Sequence, residues 1–499
     1  MSTIKTFVGQ TAIYGLSTVF SRVLNFFLTK LYISVYPARV YGVFTTMYAW
    51  ASMLNAILAF GMETTFFRYI NKFEGRKDKV YSNTFLIIAA ISVVFLTFTT
   101  LFSDGIAAWM QEGKTANMHD YVLFVKYFIY ILVVDALAVI PFAKIRANGR
   151  PIRYGSIKII NILTFIGLNL VFILLIPAII RHNWAGASFF LSWYRPGWVG
   201  YVFISNLAAS VLTLILLLPE LSLLRFNFDW ALSKDMLLYS APVLVANISF
   251  IINENLDKIF LSKLLPATQQ QDVGIYGACC KIAIFLSIAV QAFRLGAEPF
   301  FFSHAKSKNP GETYARIMTY FVIAVTLMFI AISANIEILK GFIKGKDAVQ
   351  RELYWSGLQV VPILLFGYVS LGIYMNLSIW YKLSDQTRFG LYISGIGAIL
   401  TIVLNLLFIP KYSYVASAWI SLIAYATMMV LSYILGQKNY PIPYQLKKNV
   451  VYLLSSVVIV YLSFTVFHRS LVIGNLFLVL FAAAALYNER KELLLLVKK

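Results

Sequence analysis

Long apolar runs alternate with short polar connections along the whole chain. A transmembrane helix needs about 20 mostly apolar residues to cross the hydrocarbon core of a bilayer. Runs of that length predict fourteen transmembrane helices, at about 7–33, 41–63, 82–103, 121–143, 155–178, 198–218, 237–263, 274–302, 316–338, 358–380, 389–409, 413–435, 449–467 and 471–487. The connections between them are too short to form a separate soluble domain.

Composition supports this interpretation, because 60% of the 499 residues are apolar and only 13% are charged. Soluble domains are closer to one half apolar and one quarter charged. The chain is therefore predicted to be an all-α polytopic membrane protein. A disordered chain is excluded, and so is a β-barrel, whose strands would alternate in polarity. The residues before the first span lack the features of a signal peptide, so we expect that span to be retained.

The Lys and Arg residues of the connections predict the orientation in the membrane. Of the 42 Lys and Arg residues, 23 lie in connections and termini on the side of the N-terminus, 10 on the other side and nine inside spans. Because cytoplasmic connections carry the basic excess, both termini are predicted to be cytoplasmic. The connection 339–357, with four basic residues, argues the other way. Topology and contact with anionic lipids account for much of the net charge of +21, so no nucleic-acid partner is expected.

Short motifs of the first half recur in the second half at nearly constant offsets. The offset is 235 or 236 residues for Tyr41-Gly42 with Tyr276-Gly277, Gly61-x-Glu63 with Gly296-x-Glu298, Phe66-Phe67 with Phe301-Phe302, Arg153-Tyr154-Gly155 with Arg388-Phe389-Gly390 and Asn169-Leu170 with Asn405-Leu406. It falls to 216 where Ile204-Ser205 meets Ile420-Ser421, and the connection 179–198, which the second half lacks, accounts for the difference.

This repeat predicts three segments: a six-helix half at 1–234, a second six-helix half at 235–436, and two extra transmembrane helices at 437–499. Six is an even number, so both halves enter the membrane in the same direction and form parallel repeats. Transporters built this way bind their substrate between the halves near the midplane and rock to give alternating access. The alternative is a relic of duplication without transport.

Fourteen charged residues inside the predicted spans or near their ends are of interest: Arg22, Lys30, Arg68, Lys126, Lys158, Lys258, Lys263, Lys281, Arg294, Glu63, Asp135, Glu254, Asp257 and Glu298. At roughly 3 kcal/mol for each lipid-facing charge, they would cost about 40 kcal/mol, more than the stability of an ordinary fold. The deep ones are therefore expected to face protein or a wet cavity. Those near span ends, including Lys158, can extend to the interface instead.

The first helix carries a polar stripe of Thr11, Gly15, Thr18, Arg22, Asn25 and Thr29, which recur at spacings of three and four. Such spacing places them on one helix face, as the wall of a wet groove or as a packed polar seam. In the eighth helix Gln291, Arg294 and Glu298 share a face, and Arg294 and Glu298 are also spaced to form a structural ion pair. Asn55 lies on the matching second helix. We select Arg22, Asn25, Thr18, Asn55, Gln291, Arg294 and Lys281 as candidate substrate-binding residues.

Acidic residues in the fourth and seventh helices are candidates for ion coupling. Glu254 and Lys258 have the favourable i,i+4 order for an ion pair, which would leave Asp257 without an evident local partner. Asp135 is the lone acid of its helix. Asp135, Glu254 and Asp257 are therefore predicted to bind a coupling ion, H⁺ or Na⁺.

Chemistry of bond making is not evident in the sequence. It has no Walker loop, metal-ligand cluster or nucleophile elbow, so neither an enzyme nor a cofactor is expected. Cys279 and Cys280 are adjacent in an apolar run and predict no disulfide framework. The excess of basic over acidic residues within spans favours an anionic substrate, and arginine suits phosphate because it donates two parallel hydrogen bonds.

Motifs spread over the whole chain resemble the Wzx-like polysaccharide flippases of the multidrug/oligosaccharidyl-lipid/polysaccharide exporter superfamily. They are Gly15…Arg22, Tyr41-Gly42-Val43-Phe44, Gly61-Met62-Glu63-Thr64-Thr65-Phe66-Phe67-Arg68, Leu256-Asp257-Lys258, Gly274-Ile275-Tyr276, Glu298-Pro299-Phe300 and Gly397…Thr401…Asn405…Ile409-Pro410. The resemblance implies a flippase in the bacterial inner membrane that moves a polyprenyl-diphosphate-linked oligosaccharide to the outer leaflet for cell-surface polysaccharide biosynthesis.

The resemblance also implies that basic residues of the first and eighth helices line a central cavity, and that a polysaccharide polymerase or glycosyltransferase acts alongside. Two other functions stay open. A drug/cation antiporter of the same superfamily would want an acid-rich cavity. A membrane glycosyltransferase or ligase would typically need an outer domain or an acidic metal site.

Overall fold

The computed structural model of the protein describes residues 24, 27–111, 117–225, 228–304, 309–384 and 386–497, and all regular structure in these ranges is helical. The first of two compact units is Met1–Gly274. Its helices are 27–35 (α1), Ala38–Ala59 (α2), Met62–Lys72 (α3), Lys77–Leu101 (α4), Ser103–Gln111 (α5), Met118–Ala147 (α6), Pro151–Leu170 (α7), Ile176–Arg181 (α8), Ala187–Leu191 (α9), Gly200–Leu216 (α10), Leu218–Leu221 (α11) and Trp230–Leu264 (α12).

The second compact unit is Ile275–Lys499. Its helices are Gln271–His304 (α13, which begins in the last residues of the first unit), Pro310–Ala334 (α14), Ile336–Leu339 (α15), Ala348–Ser356 (α16), Val361–Leu377 (α17), Ile379–Leu383 (α18), Arg388–Asn439 (α19), Leu446–Tyr461 (α20) and Leu471–Val497 (α21).

Eleven helical segments of the described ranges are long and apolar enough to cross a membrane. The predicted spans 389–409 and 413–435 lie together in α19, which is 52 residues long and breaks at Ser413, where φ is 49°. The predicted sixth span corresponds to the shorter apolar helix Gly200–Leu216. Most of the first predicted span lies outside the described residues. The all-helical membrane architecture is confirmed, whereas the count of fourteen spans and the division into segments at 234 and 436 stay predictions.

Helix α6 organises the packing of the first unit. It packs against α2, α4, α5 and α10, and α10 packs in turn against α7. Its last turns bury Phe142 and Ile145 against Ile157 of α7 and against Leu217. Close packing of this kind holds helices together in a membrane, because lipid tails are as apolar as the side chains that they would replace.

Ion pairs hold the ends of these helices. Arg153 donates two hydrogen bonds of 2.7 Å to the Glu220 carboxylate, from Nε and Nη2. Arg195 donates two hydrogen bonds to the Asp120 carboxylate, from Nη1 at 2.8 Å and from Nη2 at 3.0 Å. Glu220 and Asp120 are both buried. Arg153 therefore joins α7 to α11, and Arg195 joins the connection before α10 to the first turn of α6. Both arginines also count among the basic residues of the connections that predict the topology.

A further ion pair lies before the start of α12. The ammonium group of Lys79 lies 2.7 Å from a carboxylate oxygen of Asp229, whose side chain also accepts the backbone N–H of Leu232 as a helix cap. The hydrogen bond from Lys79 holds the pKa of Asp229 below its usual value. This pair joins the beginning of α4 to the beginning of α12.

Helices α14 and α17 organise the second unit. Helix α17 packs against α14 and α19, and α14 also contacts α20 and α21. Gly372 permits a close approach, because a Cβ atom at that position would lie 2.8 Å from Cγ2 of Val290 on α13 and 2.9 Å from Cζ of Phe321 on α14. Val290 and Phe321 are both buried and have little room to move.

Two asparagines that the sequence repeat matches have the same surroundings within their own units. Asn169 and Asn405 are fully buried, and each Nδ2 donates to the carbonyl of the residue four positions earlier, at 2.7 Å. Each Oδ1 accepts a hydroxyl from a neighbouring segment, Tyr32 at 3.0 Å and Ser417 at 3.1 Å. The shared hydrogen bonding supports the predicted repeat.

A second parallel concerns the aromatic residue that follows the matched arginine in each unit. Tyr154 packs against Phe142 with ring centres 5.3 Å apart, and Phe389 packs against Trp380 with ring centres 5.1 Å apart. Phe142 lies in the last turns of α6, whereas Trp380 lies in the short helix α18 that follows α17. The ring contact is therefore similar in the two units, and the repeat itself stays a prediction.

The close approach at Gly372 is testable by adding one methyl group. We expect Gly372→Ala to destabilise the protein by about 1–3 kcal/mol, because overpacking forces buried neighbours out of their rotamers. Gly395→Ala on α19 is the matched control, since a Cβ atom there would meet nothing within 4 Å. Thermal unfolding of the purified protein in detergent should show a lower Tm for the first variant alone; equal Tm values would contradict the close approach.

Candidate functional site

Three of the predicted substrate-binding residues, Thr18, Arg22 and Asn25, lie outside the described residues, together with most of the polar stripe of the first helix. Their roles stay predictions. The remaining candidates lie on α2, α6, α12 and α13.

Arg294 lies on the wall of a pocket in the second unit. The pocket is small, with a cavity volume of about 20 Å³, enough for one water molecule, and is formed by α13, α17 and α18. Its polar lining consists of Arg294, Asn376, Ser378 and Lys382, and its apolar lining includes Phe301. No Asp or Glu with a described side chain lines it. The pocket therefore has a positive lining that favours an anion.

Asn376 gives this pocket a buried donor in addition to its cations. Its side chain is only 6% exposed, and its Nδ2 has no hydrogen-bond partner in the described structure. A buried donor left unpaired costs about 1–3 kcal/mol, so native proteins keep few of them. Arg294 is exposed and Lys382 is half-buried. An anion with several oxygen acceptors matches this set of donors.

The other candidates on α13 do not line this pocket. Gln291 donates from Nε2 to the Ser287 hydroxyl at 3.2 Å. Lys281 is half-buried and lies more than two helical turns earlier. The predicted pairing of Arg294 with Glu298 is untested, because the side chain of Glu298 lies outside the described part of the structure. Arg294 is the one predicted residue of α13 that lines this pocket, where Asn376 and Lys382 also lie.

Sequence reasoning missed Asn376 and Lys382. Lys382 was assigned to topology because it follows a span, and Asn376 was not noticed inside an otherwise apolar run. The sequence does contain a signal for this site, since the polar residues Asn376 and Ser378 interrupt the apolar run of the tenth span close to its end. Only the packing of α17 against α13 reveals that these residues share a pocket with Arg294.

Asp135 lies in a polar cluster inside the first unit. Ser210 of α10 hydrogen-bonds to its carboxylate, and Lys158 of α7 is close enough for a favourable electrostatic interaction. The Lys158 ammonium also lies 4.3 Å from the centre of the Phe142 ring, so this lysine faces protein and does not extend to the interface as the sequence suggested. Asp135 therefore has partners on two neighbouring helices.

Neighbouring amides extend this cluster towards α2. Asn206 donates to the Tyr48 hydroxyl at 3.0 Å, and Asn161 donates to Thr213 Oγ1 at 2.9 Å. The predicted site residue Asn55 is half-buried on α2, seven positions after Tyr48, and so lies on the same helix face. The arrangement is a hydrogen-bonded polar region within the apolar first unit.

The expected pairing in α12 is wrong. The side chain of Lys258 pairs with Asp257 and not with the Glu254 carboxylate. Its ammonium lies 2.9 Å from Asp257 Oδ1, and the same oxygen accepts the Lys258 backbone N–H at 2.8 Å. The ammonium reaches only the backbone carbonyl of Glu254, at 2.7 Å. Asp257 can hold the ammonium and the N–H together because it is the adjacent residue, whereas the i,i+4 rule considers side chains alone. Asp257 is thus a buried, paired acid.

These features define a class of protein: a multi-pass membrane protein with polar and charged groups arranged inside its helical units. Comparison with known proteins agrees. The profile of the family described as "Polysaccharide biosynthesis protein" matches residues 3–297, and the MatE profile matches residues 242–407. The first match covers more than half of the chain, which therefore belongs to the polysaccharide biosynthesis protein family, within the multidrug/oligosaccharidyl-lipid/polysaccharide exporter superfamily.

One curated relative covers most of the chain, and several solved structures share its fold. The chain is 23% identical over 426 residues to the uncharacterized membrane protein MJ1068 of Methanocaldococcus jannaschii, which covers 82% of this chain and 79% of that protein. Its fold is similar to that of the lipid II flippase MurJ in an inward closed conformation, with a TM-score of 0.70, 14% identity and coverage of 95% of this chain and 99% of the other.

The fold is also similar to that of a mutant of the Vibrio cholerae MATE transporter VcmN, with a TM-score of 0.60, 14% identity and coverage of 87% of this chain and 96% of the other. A transporter of the same superfamily from Pyrococcus furiosus, described as having reverse polarity of its binding pocket, gives a TM-score of 0.55 and 13% identity over 86% of this chain and 95% of the other. At such identities the likeness shows the fold alone.

The unpaired amide of Asn376 generates a test of the pocket. We expect Asn376→Leu to leave the stability of the empty protein unchanged or raised, because it removes an unsatisfied donor. The same variant should weaken binding of inorganic diphosphate, measured as ligand-induced thermal stabilisation. Asn405→Leu is the matched control: its amide is fully hydrogen-bonded, so stability should fall by about 1–3 kcal/mol. Equal loss of stability in both variants would mean that Asn376 is a structural residue.

Proposed function

We propose that the protein is a flippase that carries an anionic, polyprenyl-diphosphate-linked oligosaccharide from the cytoplasmic to the outer leaflet by alternating access, for cell-surface polysaccharide biosynthesis. Membership of the polysaccharide biosynthesis protein family supports this, as does the similarity in fold to a lipid II flippase. The proposal includes a bacterial inner membrane, cytoplasmic termini, and a polymerase or glycosyltransferase that handles the same glycan.

One observation carries the choice of substrate charge: the pocket of the second unit offers donors and no acid among its described lining residues. A diphosphate brings about two negative charges and several acceptor oxygens into a site where water is scarce, and these must be met by fixed donors. Arg294 and Lys382 supply positive charge, and Asn376 supplies a buried N–H group. The pocket is too small for an oligosaccharide, so we propose that only a phosphate group lies at its mouth and that the glycan lies outside it.

A drug/cation antiporter is the alternative function within the same superfamily. Such a protein would present carboxylates to its substrate, whereas the acids described here, Asp135 and Asp257, already interact with basic partners. A membrane glycosyltransferase or ligase is a further alternative. Accumulation of lipid-linked units on the cytoplasmic leaflet of a deletion strain would support flipping, and unpolymerised units on the outer leaflet would indicate a later step.

Arginine variants test the proposed substrate contact. We expect Arg294→Ala to lower glycan export by about tenfold or more, because hydrogen bonds to charged groups contribute about 1.5–3 kcal/mol each. Arg294→Lys should retain part of the activity, since lysine keeps the charge but loses the bidentate geometry. We expect Arg22→Ala, on the polar stripe of the first helix, to abolish export. Export by a deletion strain carrying each variant is the measurement.

Lys438→Ala is the matched control for these variants, because Lys438 is an exposed basic residue on α19 that does not line the pocket. Protein level in the membrane must be equal for all variants, since a lost ion pair could lower it. Normal export by well-expressed Arg22→Ala and Arg294→Ala variants would overturn the basic-site mechanism.

We propose that Asp135 is the ion-coupling group, with H⁺ or Na⁺ as the ion. Its cluster supports this, because Ser210 and Lys158 come from different helices and would respond to a change in its charge. Asp257 and Glu254 are the other candidates, but the ion pair of Asp257 is with Lys258 of its own helix, so a change in its charge would act mainly within α12.

Charge-removing variants separate these candidates. We expect Asp135→Asn to fold and to bind substrate but to lose the dependence of transport on an H⁺ or Na⁺ gradient, measured in proteoliposomes. The double variant Asp257→Asn with Lys258→Gln removes the second pair without leaving one buried charge, and it should keep the ion dependence. Unchanged ion dependence in Asp135→Asn would exclude Asp135 as the coupling group.

A further inference from the structure

A separate, open pocket of about 620 Å³ lies in the first unit, beside the beginning of α7. Arg150 and Arg153 line one end of it, Ser156 follows, and Ile157, Ile160 and Leu216 line the other end. We infer that this pocket binds an anionic phospholipid of the membrane, with its phosphate at the two arginines and an acyl chain along the three apolar residues.

The order of polar and apolar residues supports a lipid. Arg150, Arg153, Ser156 or Ile157, and Ile160 recur at spacings of three and four, so they follow one face of the helix. A rise of 1.5 Å per residue separates the first and last of them by about 15 Å. The polar headgroup layer of a bilayer is only about 5–8 Å deep, so the pocket extends from that layer into the hydrocarbon. A small soluble anion would use only the arginine end.

The charge of the lining supports an anionic headgroup. Arg153 uses Nε and Nη2 to hold Glu220, which leaves its Nη1 outside that pair. Arg150 is exposed, and its guanidinium makes no ion pair within the described ranges. No acidic residue lines the pocket among those described. Basic pockets between transmembrane helices are typical sites for anionic lipid headgroups, and a zwitterionic lipid would gain little from them.

The apolar end has the exposure that an acyl chain requires. Ile160 is 39% exposed. Ile157 and Leu217 are buried in the contact between α6 and α7, so the floor beneath the chain is rigid. This inference does not rest on the proposed transport function, because it requires only the lining of this pocket and a surrounding bilayer.

The experiment is lipid titration of the purified full-length protein in detergent, followed by native mass spectrometry and thermal unfolding. The probes are phosphatidylglycerol, phosphatidylcholine with the same acyl chains, and inorganic phosphate. We expect phosphatidylglycerol alone to bind and to raise Tm. Arg150→Gln should lower its binding about fivefold, the effect of one basic residue near a membrane surface. Arg76→Gln, an exposed arginine elsewhere in the same unit, is the matched control and should change nothing.

A variant of the apolar end completes the test. Ile160→Ser should weaken phosphatidylglycerol binding without altering the charge, whereas Arg153 is left intact because its loss would leave Glu220 buried and unpaired. Equal binding of the two phospholipids would overturn the inference, and so would equal effects of Arg150→Gln and Arg76→Gln. Stabilisation by inorganic phosphate as strong as that by phosphatidylglycerol would indicate a phosphate site and not a lipid site.

Discussion

Hydrocarbon offers no water to a charged or hydrogen-bonding group, and this constraint decides where the polar residues of this chain lie. Inside the helical units, the acids Asp135 and Asp257 interact with Lys158 and Lys258. The matched asparagines Asn169 and Asn405 use both the donor and the acceptor end of their amides. Asn376 is one of several buried side chains with a polar atom that has no hydrogen-bond partner in the described structure, and among these it is the one that lines the cationic pocket. An unpaired buried donor calls for an explanation, and a bound anion would supply one.

The spans could be predicted from the sequence because bilayer thickness fixes the length of an apolar run. The gap predicted between 409 and 413 coincides with the break at Ser413, which shares α19 with Pro410. Short helices in the connections, such as α5 and α16, were not predicted, since a segment of nine residues carries too few periods of a pattern to be distinguished from a loop.

The site was less predictable than the fold for a physical reason. Spacing along one helix reveals shared faces, and Arg294, one of the residues that it selected, lines a pocket of the second unit, although its role in binding stays a prediction. It contains no information about which distant segment packs opposite, so Asn376 and Lys382 could be found only in three dimensions. The pairing in α12 failed differently: the rule considers side chains on neighbouring turns, and the adjacent carboxylate of Asp257, which also accepts a backbone N–H, was the better partner for Lys258.

The mixed exposure of the pocket donors has a consequence for the speed of a carrier. Attraction between an exposed arginine and a phosphate is weakened by the surrounding water, so Arg294 would hold an anion loosely. A buried donor such as Asn376 binds with less screening but carries no net charge. Together they favour recognition with a short residence time over tight retention, and residence time is governed mainly by the rate of dissociation. A protein that must release every molecule it collects gains more from rapid dissociation than from high affinity.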